Sequence, residues 1–330
     1  MTWIDHYVPP SVKPWQGRHD IPDASCFFQL MKLYDLTDTH LAPSTSTRFG
    51  LIGFACDEGI RRNLGRVGAA KGPAAIREAL AKLPLQTDIE CYDAGDITCI
   101  DEDLEASQLA LAHAITELLQ HNITPIVLGG GHELAFGHYQ GIVHAYPKEA
   151  LSIMNFDAHF DMRPLLSENK GSSGTGFLQI AFAEKIRQQI FDYNCLGIQP
   201  ASNISLLFDT AKEHQVKTLL AEEIIHDENN KVQTFMDHLL QENKIIYMSI
   251  CLDVFAASYA PGVSAPQVFG LTPWHLIPWI RELAKSGQVI SYDLAELSPT
   301  YDIDQRTAKL AAHLIFEIIH HHKGRQYAGK

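Results

Sequence analysis

The chain has 330 residues, 46% hydrophobic and 20% charged, with a formal net charge of −13, a balance that suits one large α/β domain. The acidic surplus argues against nucleic acid and anionic membranes as partners, since both need clustered Lys and Arg. The amino terminus has no basic segment leading into an apolar one, no apolar run reaches membrane-spanning length, and the six cysteines form no Cys-x-x-Cys pair, so a soluble cytoplasmic protein with reduced core thiols is expected.

Residues 1–46 are rich in Pro, Asp and Thr, and predict an irregular surface wrap with one short helix over Ser25 to Lys32. Arg48 to Phe54 reads as the first strand, followed by a Gly- and Arg-bearing loop from Asp57 to Pro73. Pro73 opens a helix, Ala74 to Lys82, where proline is tolerated. Ile89 to Asp93 is a short strand, Leu104 to Gln120 a long amphipathic helix, and Ile123 to Leu128 a strand. Gly129-Gly130-Gly131 predicts a sharp turn and close approach to a ligand, with a helix over Glu133 to Tyr146 after it. Strands follow at Ala150 to Phe156, Asn194 to Ile198, Val216 to Leu219, Ile245 to Leu252 and Val289 to Leu294. Thr272-Pro273 starts a helix over Trp274 to Ser286. A last helix, Asp304 to about His322, ends in three histidines read as a solvated terminus. Strands alternating with helices imply βαβ units: a single-domain, three-layer α/β/α fold with a mainly parallel sheet over residues 47–330.

Three segments carry the chemistry: Gly131-His132-Glu133, Asp157-Ala158-His159-Phe160-Asp161 and Ser249-Ile250-Cys251-Leu252-Asp253. Each follows a buried-strand pattern, which places His132, Asp157, His159, Asp161, Cys251 and Asp253 at carboxyl ends of strands, where open α/β sheets hold their sites. If extended, Asp157-x-His159-x-Asp161 projects three ligands to one side, and burying those charges is costly unless a cation compensates them. Oxygen and imidazole donors suit Mn2+, whereas a thiol favours zinc, copper or iron. Cys251, taken alone, reads as a small buried hydrophobe more readily than as a ligand. His132 alone reads as an ordinary helix-start histidine.

Together these motifs resemble the ureohydrolase superfamily of arginases, agmatinases and formimidoylglutamases, from Phe49 to Ile319. The loop Asp57-Glu58-Gly59-x-Arg61-Arg62-Asn63-x-Gly65-Arg66-x-Gly68-Ala69, Asp161-x-Arg163, Ser172-Ser173-Gly174-Thr175-Gly176-Phe177, Ala260 to Pro266 and Asp293-Leu294-Ala295-Glu296-Leu297 resemble the formimidoylglutamase branch. Only Cys251 departs clearly, because the family pattern has aspartate there.

The resemblance implies a binuclear manganese centre, with one ion on His132, Asp157 and Asp161 and the other on Asp157, His159 and Asp253, residue 251 bridging both. With a thiol at the bridge, one ion or Zn2+ is the alternative. It implies hydrolysis of N-formimidoyl-L-glutamate by attack of an activated water on the amidine carbon, with Asp161 passing the proton to the leaving amine and Glu296 pairing with the amidinium. Arg66 and Arg163 would hold the substrate carboxylates, with Asn63 and Thr175 as neutral donors; for Arg66 a loop-bracing role weighs equally. It also implies a homo-oligomer, commonly a trimer or hexamer. The alternatives are an impaired or non-catalytic binder, motivated by Cys251, and a hydrolase of another guanidine or amidine.

Overall fold

The computed structural model describes residues 2–18, 26–38, 41–42, 44–85, 89–241 and 244–324. Among the described residues ten strands form one sheet: β1 (Tyr7–Val8), β2 (Lys32–Leu33), β3 (Thr47–Ala55), β4 (Ile89–Thr98), β5 (Thr124–Gly129), β6 (Leu151–Phe156), β7 (Asp192–Ile198), β8 (Lys217–Leu220), β9 (Ile245–Cys251) and β10 (Val289–Ala295). Their order is β1-β4-β3-β5-β10-β9-β6-β7-β8, with β2 also on β4. Every pairing is parallel except β1 with β4. Strands β6, β9 and β10 are buried along their whole length, as expected of parallel strands covered on both faces.

Eleven helices among the described residues cover the sheet: α1 (Phe27–Leu30), α2 (Glu58–Arg62), α3 (Gly72–Leu80), α4 (Leu104–Gln120), α5 (Leu134–Ala145), α6 (Gly176–Ile186), α7 (Ser205–Glu213), α8 (Ala221–His226), α9 (Lys231–Gln241), α10 (Pro273–Lys285) and α11 (Arg306–His321). Helix α4 starts where the Asp103 carboxylate accepts the Ala106 amide at 3.0 Å, a side-chain cap. Helix α11 buries Ala308, Ala311, Ala312, Ile315 and Ile319, the stripe a 3.6-residue period presents to a core. Helices α4, α5 and α6 pack together on one face of the sheet, and α3, α10 and α11 on the other. Two apolar cores result, one per face, so the three-layer reading holds.

Several local expectations change. The amino-terminal segment adds edge strands β1 and β2, and its buried Trp15 donates Nε1–H to Asp93 at 2.8 Å, beside the Arg77–Asp93 ion pair at 2.9 Å. Its helix shrinks to the single turn of α1, and Ser25 lies outside the described residues. The 57–73 loop contains a helix, α2, because Glu58 holds both Arg61 (2.6 Å) and Arg62 (2.8 Å) one turn on. Strand β4 runs five residues beyond the expected Asp93, to Thr98. Of the three terminal histidines, His322 is partly buried: its ring meets the Tyr292 hydroxyl at 2.7 Å and packs T-shaped against Phe49. Burial lowers its pKa to about 4. All six cysteines are free.

Candidate metal centre

Strands β5, β10, β9 and β6 end side by side, and the residues after them converge. His132 lies between β5 and α5, Cys251 is the last residue of β9, Asp253 sits on a single 3-10 turn (Leu252–Val254), and Glu296 follows β10. The glycines before His132 serve close packing. A Cβ on Gly130 would come within 2.3 Å of the Phe54 carbonyl oxygen, and one on Gly129 within 2.5 Å of that of Leu294. The chain bends at Gly130 and Gly131 and turns at His132-Glu133, as expected, without a positive φ at any of the three glycines, and their missing side chains allow the close backbone approach to β3 and β10.

The extended geometry expected for Asp157-x-His159-x-Asp161 is also corrected. The segment bends directly after β6: the Asp157 Oδ1 accepts the His159 amide at 2.8 Å, and Asp161 sits in the left-handed region at φ 49°. Glu296 is left-handed too, at φ 74°. Such backbone costs on the order of 1–3 kcal/mol and persists where surrounding structure enforces it, often at sites. Here it turns the Asp161 carboxylate back toward His132.

The resulting distances are short. His132 Nδ1 lies 3.0 Å from Asp157 Oδ2 and 3.0 Å from Asp161 Oδ2. His159 Nδ1 lies 3.0 Å from Asp253 Oδ2 and 3.6 Å from Asp157 Oδ1. Donor atoms of His132, Asp157 and Cys251 fall within 4.8 Å of one another, as do those of Asp157, His159 and Asp253. Asp157 thus belongs to both groups, and Cys251 stands in the cluster instead of retreating into the core. His132 Nδ1 is buried, faces two carboxylates and makes no hydrogen bond among the described residues, the position a metal-ligating nitrogen would take.

Electrostatics supports the same use. At Asp157 burial pushes the carboxyl up, but the close imidazoles of His132 and His159 outweigh it and hold the group well below the usual range. Burial opposes charge on His132 and His159 too, yet the facing carboxylates raise both far above an ordinary imidazole. Asp161 is raised by burial and then by the Asp157 charge, and burial likewise raises Asp253 and Glu296. The Cys251 thiol is pushed well up by burial and by the Asp157 and Asp253 charges. This crowd of buried acids is self-repelling; a divalent cation inverts that logic by stabilising every deprotonated donor at once. Imidazole, carboxylate and one thiol, with an orphaned nitrogen among them, make a donor set that fits divalent metal ions.

The cluster forms the floor of a cavity of about 280 Å³ lined by His159, Asp161, Cys251, Asp253 and Glu296, with Asn63, Arg66 and Arg163 on its walls. The Arg163 side chain is exposed there, and its guanidinium has no hydrogen-bond or ion-pair partner among the described residues, while its backbone amide donates to the Gly174 carbonyl at 2.7 Å. Arg66 is partly spent: Nε donates to the Ser264 carbonyl (3.0 Å) and Nη2 to that of Val263 (2.6 Å), and the guanidinium stacks 4.2 Å from the Tyr301 ring centre. Arg62 is tied to Glu58 and to Glu105 (2.7 Å). Asn63 Nδ2 donates to Ser173 Oγ at 3.2 Å, and both face the cavity. Thr175 does not reach it: its buried hydroxyl accepts the Ser172 amide (2.8 Å) and lies within hydrogen-bond distance of the Ser172 carbonyl (3.0 Å) and the Gln179 side chain (2.9 Å). Ser173, two residues earlier in the same polar run, takes the wall position expected of Thr175. Ser202 also lines the cavity, and no local pattern singled it out.

A sequence model of the arginase family matches residues 47–321. Formimidoylglutamase of Legionella pneumophila (strain Paris) is 42% identical over 316 residues, covering 96% of this chain and 98% of the relative. Formimidoylglutamase of Clostridium tetani (strain Massachusetts / E88) is 42% identical over 324 residues, covering 95% and 96%. Among solved structures, Trypanosoma cruzi formiminoglutamase with Mn2+ matches with a TM-score of 0.74 and 26% identity, covering 94% of this chain and 98% of that one. Formimidoylglutamase from Bacillus subtilis subsp. subtilis str. 168, at 22% identity and a TM-score of 0.77 over 93% of this chain and 96% of that one, shares the fold. With converging strand ends, two donor groups joined at Asp157 and a family match over most of its length, the chain belongs to the arginase family.

Proposed function

We propose that the protein hydrolyses N-formimidoyl-L-glutamate: water adds to the formimino carbon, the bond to the glutamate nitrogen breaks, and formamide and L-glutamate leave. The full-length similarity to formimidoylglutamases supports this. The observation that carries it is the unengaged Arg163 guanidinium on the wall of a cavity whose floor exposes His159, Cys251 and Asp253 of the two donor groups. That pairing suits a dianionic substrate with a cationic amidine at one end.

Two manganese ions would be held by His132, Asp157 and Asp161 and by Asp157, His159 and Asp253, with Cys251 at the seam; the manganese in the T. cruzi relative supports that identity. When bound, such ions supply Lewis-acid activation of water. Glu296, buried and raised, pairs with the amidinium, whose charge would bring the carboxyl back down. Asp161, on the cavity floor, passes a proton from the attacking water to the leaving amine. Arg163, and Arg66 through the Nη1 left over from its loop contacts, grip the glutamate carboxylates, and Asn63 adds a neutral donor. A soluble, cytoplasmic homo-oligomer serving histidine degradation completes the proposal. No helix among the described residues is long and apolar enough to cross a membrane, and exposed Val268, Phe269 and Trp274 offer apolar surface to another copy.

Cys251 in the first donor group favours a second reading of the metal alone, a zinc-shifted or single-ion centre. Metal analysis after dialysis separates the two: two equivalents of Mn2+ for the proposal, one of Zn2+ for the alternative.

Removing a charge-assisted bond to a substrate carboxylate costs about 1.5–3 kcal/mol. Arg163→Ala is therefore expected to raise KM by roughly 10- to 150-fold while kcat changes little, measured by glutamate release. An unchanged KM removes Arg163 from the substrate. The wild type should also leave agmatine, which has no carboxylate, uncut; a preference for agmatine overturns the substrate assignment.

A further inference from the structure

Behind His132 a chain of buried polar side chains runs into the core between β9, β10 and α5. His132 Nε2 lies 2.8 Å from Ser249 Oγ, and that hydroxyl donates to Asp293 Oδ1 at 2.6 Å. Asp293 Oδ2 accepts the Tyr247 hydroxyl and lies 2.8 Å from His138 Nδ1, whose Nε2 is 2.5 Å from Ser291 Oγ. Strand register builds the array: Asp293 pairs with Ser249 across β10 and β9, and Ser291 with Tyr247, so alternate residues of both strands share a face. His138, Tyr247, Ser249, Ser291 and Asp293 are all fully buried. Apolar side chains of similar volume often stabilise a core as well as such a buried charged group does, so fold stability alone does not account for it. The route it offers toward the site leads to His132.

We propose that Asp293 is a positioning residue for the metal centre, fixing through Ser249 which nitrogen of His132 is free to bind an ion. A carboxylate only accepts hydrogen bonds. The Ser249 proton therefore points to Asp293, and the Ser249 oxygen presents only lone pairs to His132. His132 must then carry its proton on Nε2, leaving the Nδ1 lone pair aimed between Asp157 and Asp161, where that nitrogen is orphaned. Carboxylate support of this kind holds a ligating imidazole in one tautomer and raises its basicity. An asparagine at 293 reverses the chain. Its oxygen must face the two donors, Tyr247 and His138, which turns its NH2 toward Ser249. The serine proton then swings to Nε2 and the His132 proton moves to Nδ1, blocking ligation.

The inference rests on the metal-centre reading above. Its test is calorimetric titration of Mn2+ into metal-stripped wild type, Asp293→Asn, Ser249→Ala and the double variant, with apoprotein melting curves run alongside. Asp293→Asn and Ser249→Ala should each weaken one of the two Mn2+ affinities by about 10- to 100-fold and leave the other within about threefold. The double variant should lose no more than the larger single effect, because Asp293 acts through Ser249. Both affinities of Asp293→Asn within about threefold of wild type, or effects that multiply in the double variant, overturn the proposal. If Asp293→Asn does not fold, Ser249→Ala decides alone, since it deletes one hydroxyl and keeps the other partners of Asp293; an unchanged affinity there is equally fatal. A wild type that binds no Mn2+ overturns the metal-centre reading itself.

Discussion

Asp157→Ala strips the protein of both ions and lowers kcat/KM for N-formimidoyl-L-glutamate by at least roughly 10⁴-fold, about 5 kcal/mol of transition-state stabilisation. The size follows from position. Asp157 is the one residue common to both donor groups, fully buried, with Oδ2 3.0 Å from His132 and Oδ1 holding the turn that presents His159. Deleting it removes a ligand from each ion, frees the His159 amide, and leaves two imidazoles whose raised pKa values had depended on that charge. Substituting His159 instead removes a donor from one group only, so its metal loss should stop at one equivalent. Metal content after dialysis and initial rates check both. Two retained equivalents with activity within tenfold of wild type in Asp157→Ala would refute the shared-ligand account.

Cys251→Asp has the second-largest expected effect, and in the opposite direction. It places a carboxylate where the family pattern has one, at the end of β9 and within reach of His132 and Asp157. A thiol there is held protonated by burial and by the Asp157 and Asp253 charges, and once deprotonated it favours zinc over manganese. The substitution should therefore shift the ratio of Mn2+ to Zn2+ affinity toward manganese by on the order of 100-fold, about 2.7 kcal/mol. Competition titrations of the two ions into metal-stripped protein measure that ratio. A ratio unchanged within threefold means that the thiol never touches an ion, and that the centre is built from the other five ligands.

The candidate ligands were legible because their segments follow runs of strand-forming residues, and in a parallel sheet those ends must lie on one edge. Sequence order does not say which strands are neighbours, yet β5, β9 and β6, which carry the candidate ligands, lie together in the sheet with β10, which leads into Glu296, between β5 and β9. What escaped the residue pattern is local backbone and remote register. Period-two spacing suggested an extended Asp157-x-His159-x-Asp161, whereas the bend at Asp157 and the left-handed Asp161 produce the convergence. Helix α2 arises from charge pairing of Glu58 with Arg61 and Arg62 inside a Gly-rich loop, where propensity predicts none. Ser173 and Thr175 are indistinguishable in sequence; only the packing of α6 assigns one to the cavity and the other to its own turn. The relay behind His132 depends on Asp293 facing Ser249, a contact spanning 44 residues that no local pattern fixes.

Glutamate release from N-formimidoyl-L-glutamate by metal-stripped protein reconstituted with excess Mn2+ tests the central claim most directly. Turnover in the ordinary enzyme range, about 1 to 1000 per second, is the predicted result, rising with Mn2+ and absent from the stripped protein. No glutamate release from folded protein that has bound Mn2+ would contradict the account.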